Sequence, residues 1–111
     1  MTDKVANQEQ LTTYFADNCV KLVKYYKANL PLEQKHLAKN WTFYFVYRAP
    51  TNPLIGTKGY YQGGIIDRST RVWHLTVTAA DSVQCLRMIE SELVDMVNAQ
   101  DNVGGEYGTG G

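Results

Sequence analysis

Apolar positions over residues 7–28 fall at Leu11, Phe15, Cys19, Leu22 and Tyr26, three or four apart. That spacing follows the 3.6-residue turn and predicts an amphipathic helix with one buried stripe, which Val23 widens. Lys21, Lys24 and Lys27 gather in its last turns, where cations suit the helix dipole. Asn29 and Pro31 end it, because proline cannot continue the hydrogen-bond ladder. Residues 31–39 predict a short second helix with Pro31 in its first turn. The period then drops to two. Over 41–48, Trp41, Phe43, Phe45 and Tyr47 share one face of a strand, and Thr42, Tyr44, Val46 and Arg48 share the other. Turn chemistry makes 49–59 a loop. A second strand is predicted over 60–67, where Gly63 and Gly64 mark a bulge or the close approach of another backbone. Asp67-Arg68-Ser69-Thr70 predicts a hairpin turn, with Asp67 bonding the amides ahead of it. The third strand, 71–77, then sets Trp73, Leu75 and Val77 against Val72, His74 and Thr76. A helix start at Thr78 to Asp81 leads into a stripe of Leu86, Ile89, Leu93 and Val97, flanked by Val83 and Met96 and fading between Asn98 and Asn102.

These elements predict an α+β fold of order α-β-β-β-α. A three-stranded antiparallel meander packs two long helices on one face. One domain is expected over 1–102, followed by a flexible glycine-rich tail, 103–111. Trp41, Phe43, Phe45, Trp73 and Leu75 are expected to face the helices. The opposite face, bearing Tyr44, Val46, Arg48, Val72, His74 and Thr76, is left to solvent or to a partner.

Composition narrows the function more by exclusion than by indication. The chain has 111 residues and zero formal net charge, so it lacks the basic excess usual in a dedicated nucleic-acid binder. Double-stranded RNA-binding domains share the element order, but they grip phosphates with basic residues at the start of the last helix. Here that place holds Ala79, Ala80, Asp81 and Ser82. The lysines at 21, 24, 27, 35 and 39 make a local cluster, either a solvated helix face or a phosphate contact. No stretch is long enough to span a bilayer and the N-terminus has no apolar leader, which makes the cytoplasm the expected location. Cys19 and Cys85 fall on the buried helix stripes, where thiols are usually inert. His36 and His74 lack a neighbouring nucleophile or orienting acid. Neither catalysis, a metal nor a cofactor is expected from this set.

The candidate site is a binding surface: Tyr44, Arg48, Tyr60, Tyr61, Arg68, Arg71 and His74. Aromatic and arginine side chains make binding hot spots. The same residue types also make ordinary cross-strand pairs on a half-exposed sheet. Leu54 and Ile55 in the loop either anchor a partner or fold back on the core edge.

Trp41-Thr42-Phe43-Tyr44-Phe45, a loop holding Gly56, then Ile65-Ile66-Asp67-Arg68 with a turn, a strand and a helix resemble the YrhB-like immunity proteins of bacterial polymorphic-toxin systems over residues 41–90. Arg71 departs from the pattern, for the family usually carries glycine after the Ser/Thr of that turn. The resemblance implies a non-enzymatic protein that binds and blocks a toxin. The expectation is therefore a small protein-binding module, toxin-neutralising or a phage-type inhibitor of a host factor. The alternative is a small-ligand or nucleotide binder using Tyr44, Arg48, Tyr60, Tyr61 and His74. A homodimer through the bare sheet face is also open.

Overall fold

The computed structural model describes the backbone of residues 7–50 and 58–110, and side chains through Gln100. Helix α1 (Gln8–Ala28) opens on a reciprocal cap. The Asn7 side chain accepts from the Gln10 amide at 2.8 Å, and the Asn7 amide donates to Gln10 Oε1 at 3.2 Å. Helix α2 (Leu32–Leu37) follows Pro31. Strands β1 (Trp41–Arg48), β2 (Tyr60–Asp67) and β3 (Trp73–Ala79) come next, then helix α3 (Ser82–Gly110). Asp81 caps α3 by accepting from the Gln84 amide at 2.9 Å through Oδ2. The backbone of α3 stays helical past Asn98–Asn102, where its apolar stripe fades.

The sheet is an antiparallel meander in the order β1-β2-β3. Both long helices lie on one face of it, as the alternation in β1 predicts. Helices α1 and α3 pack along each other; α3 lies over β2 and β3, and α1 reaches β1. The core is Cys19 and Val23 from α1, Ile65 from β2, and Cys85, Leu86, Ile89 and Leu93 from α3. Ile65, Leu86, Ile89 and Leu93 are fully buried, each contributing about 2 kcal/mol of transfer free energy. Around them pack Trp41, Phe43, Phe45, Tyr61, Leu75, Val77 and Ala79, all from the same sheet face. Gly63 makes this close packing possible, since a Cβ there would stand 2.7 Å from Ile89 Cδ1 and 2.9 Å from Phe45 Cδ1.

One expectation about the faces is corrected. Ile65 pairs with Leu75 but Ile66 pairs with Trp73, so His74 is an extra residue in β3. This bulge shifts side-chain alternation by one. Trp73 turns to the open face, 5.9 Å between ring centroids from Tyr44. His74 goes the other way and lies over Trp41, ring centroids 3.8 Å apart. Gly64 sits beside the bulge at φ 147°, a conformation that favours glycine, and a Cβ there would run into the Leu75 carbonyl.

Candidate functional site

The face away from the helices is built by register. Thr42, Tyr44, Val46 and Arg48 of β1 stand opposite Ile66, Gly64, Gln62 and Tyr60 of β2. Trp73, Thr76 and Thr78 of β3 complete it. Among the described residues no helix covers this face: Tyr44 is 45% exposed and Tyr60 43%. Side chains link across the strands. Arg48 Nε donates to Gln62 Oε1 at 3.0 Å, and Gln62 Nε2 donates to Thr76 Oγ1 at 3.0 Å. This row holds the Arg48 guanidinium at the surface, with its plane set by the amide of Gln62.

At the hairpin end of the face is a cavity of about 480 Å³, lined by Thr42, Tyr44, Arg48, Ile66, Arg68, Arg71 and Trp73. Its floor is apolar and aromatic, and its rim carries three arginines. Among the described residues no acid lines it. The hairpin's own acid, Asp67, turns inward. Its Oδ1 accepts from the Ser69 hydroxyl at 2.6 Å and from the amides of Ser69 and Thr70 at 2.8 and 3.2 Å. The Ser69 hydroxyl foremost, with these amides and the charge of His74, holds its carboxyl below the usual aspartate range. The turn is closed by Arg71 N donating to Asp67 O at 2.7 Å and Asp67 N to Val72 O at 2.9 Å. It is tied to β1 by Arg68 N donating to Asn40 O at 2.9 Å.

Arg71 is the one non-glycine residue among those described with positive φ, 64°. The left-handed region costs an L-residue with a Cβ about 1–2 kcal/mol. The hairpin therefore carries an arginine in a backbone conformation that glycine would adopt without strain.

A second basic surface adjoins the first. Lys24, Lys27 and Lys35 line a groove of about 370 Å³ with Ala28 and Ala38. Lys27 Nζ donates to the Trp41 carbonyl at 2.6 Å. Burial first, then the nearby Arg68 guanidinium, pull its ammonium below the ordinary lysine value. Charge is segregated along the chain. Residues 20–74 carry nine Lys and Arg against Glu33 and Asp67, while residues 75–111 carry Arg87 against six acids.

Of the seven residues singled out from sequence, Tyr44, Arg48, Arg68 and Arg71 meet at the cavity. Tyr60 shares their face, paired with Arg48. Tyr61 and His74 do not. Tyr61 stacks on Phe45 on the helix face, ring centroids 5.5 Å apart, because adjacent strand residues point to opposite faces. His74 is displaced by the bulge. Trp73, Ile66, Thr42 and Gln62 were missed. The adjacent pair Ile65-Ile66 was the available signal, since two consecutive apolar residues in a strand put one on each face. Leu54 and Ile55 lie outside the described residues.

Both thiols are buried and free. Cys19 Sγ faces the Leu86 carbonyl at 3.7 Å, and Cys85 Sγ faces those of Val77 and Tyr61 at 3.5 and 3.6 Å. Desolvation, with Glu90 and Cys85 adding, pushes the Cys19 thiol up to about 12, far from a reactive thiolate. Among the described residues no group of three His, Cys, Asp or Glu side chains could hold a metal ion, and no helix is long and apolar enough to cross a membrane. No protein-family model, curated protein or solved structure matches the chain.

Proposed function

We propose that this protein is a non-enzymatic binding module that docks a protein partner on the open sheet face and the 67–72 hairpin. One observation carries the proposal: a face without helix cover gathers Tyr44, Trp73 and three arginines around one cavity. Central aromatics and arginines with a polar surround are the residue types on which protein interfaces concentrate their binding energy. A toxin-neutralising role, or inhibition of a host factor, is the concrete form of this function that the resemblance over residues 41–90 supports.

Tagged protein is expected to retain a partner in stoichiometric amount, and Tyr44→Ala and Arg48→Ala are expected to lose it while their circular dichroism stays that of the wild type. If the partner is a toxin, co-expression should protect growth with the wild type and fail with both variants. Capture that both variants leave unchanged would place the interface elsewhere on the molecule.

A further inference from the structure

We infer that the cavity between the β1–β2 face and the hairpin accepts an acidic segment of the partner protein, and that Arg71 is a dedicated ligand for its carboxylates. The inference rests on the docking function above and names the chemistry of what docks.

Three arginines, Arg48 from β1 and Arg68 and Arg71 from the hairpin, converge on the cavity, and no acid among the described residues answers them there. A planar guanidinium pairs bidentately with a carboxylate, which a point charge such as lysine does not match. Arg71 supplies an independent sign. Glycine would fit φ 64° without strain, yet the position holds an arginine whose side chain reaches the cavity. This arginine, in the left-handed region and lining the cavity, is the residue assigned to the carboxylates.

Carboxylates fit better than a nucleic acid. Tyr44 and Trp73 tilt against each other, 54° between ring planes, so they pack together instead of offering two free parallel faces for stacked bases. Aromatic edges carry the positive end of the ring quadrupole and suit carboxylate oxygens.

The test uses the full chain and a capped hexaglutamate peptide, followed by amide chemical-shift mapping. Shifts should centre on residues 42–48 and 66–73, and an uncharged hexaglutamine control should leave them unmoved. Arg71→Gly should raise the melting temperature, since strain is relieved, and weaken the peptide about tenfold or more. Arg71→Lys should keep the strain and recover only part of the affinity. Gain of stability together with loss of affinity is what a merely structural arginine cannot produce. Shifts centred on Lys24, Lys27 and Lys35, or unchanged affinity in Arg71→Gly, would overturn the inference. So would a hexathymidylate or adenosine monophosphate that binds this cavity more tightly than the peptide. Self-association abolished by Arg71→Glu would mean that the acids of a second copy fill the cavity. The two proposals fail separately. Partner capture lost in Tyr44→Ala but intact in Arg71→Gly keeps the docking face and removes the acidic segment. Peptide binding at the cavity with capture indifferent to Tyr44→Ala does the reverse.

Discussion

Asp67 is the residue that lets a positively charged hairpin keep its shape. It stands between Ile66 on the cavity floor and Arg68 on the rim, and its carboxylate is spent inside the turn on Ser69 and Thr70. Those bonds, led by the Ser69 hydroxyl, favour the ionised form and depress its pKa. The sign follows from linkage. A depressed carboxyl contributes its stability in full above the ordinary aspartate value near 3.8, and loses it as pH falls from there through the folded value. Acidification from pH 7 to below 3.8 is therefore expected to shift the Ser69 and Thr70 amide resonances and loosen the Arg71 N–H bond to Asp67 O. In Asp67→Asn the same resonances should be almost insensitive over that range. Acid shifts that persist in Asp67→Asn would assign them to another group.

At the scale of elements, what the sequence made legible is what alternation and capping control. The helices, the three strands and the buried face of β1 follow from spacing and turn residues, and Asp81 marks the start of α3, whereas the Asn7 cap of α1 was not read from the sequence. Gly63 and Gly64 signalled a bulge, but not that its extra residue is His74 of β3, because one extra residue there leaves a strand pattern that still reads as period two. It is settled by contacts distant in sequence: Ile66 opposite Trp73, and Gly64 in a backbone that only glycine fits well. That single residue decides whether Trp73 is core or site. Gly63 carried a readable signal, the close approach of another element, but not which one. It is α3. Gly63→Ala is expected to destabilise the fold by about 1–3 kcal/mol, as its methyl group meets Ile89 and Phe45. Ile89→Val alone should cost about 0.5–1.5 kcal/mol. Because the shortened side chain vacates the space the new methyl needs, the double variant should be less destabilised than the two losses added. Chemical denaturation of the four proteins reads this directly, and strict additivity would show that the two groups do not compete for one volume.

For the whole molecule, zero net charge describes a sum and hides a separation. Arg48, Arg68 and Arg71 gather at one cavity, and Lys27 lies close enough to Arg68 to feel its charge. The acids of residues 75–111 include Asp81, Glu90, Glu92 and Asp95 along α3. Composition alone therefore hides a local cluster, because averaging over the chain cancels the field of the three arginines that line one cavity. Such a field steers a partner of opposite sign and fades beyond a screening length of roughly 10 Å at 0.1 M salt. The consequence can be measured without any partner. Near its isoelectric point, at a sequence value of about 6.7, the protein is expected to be retained at low salt on both cation and anion exchangers. An Arg48→Ser/Arg68→Ser/Arg71→Ser variant should elute earlier from the cation exchanger and no earlier from the anion exchanger. That asymmetry is the discriminating outcome, since a uniformly neutral surface passes both columns, and a surface whose positive charge lies chiefly elsewhere keeps its cation-exchange retention when the three arginines are gone.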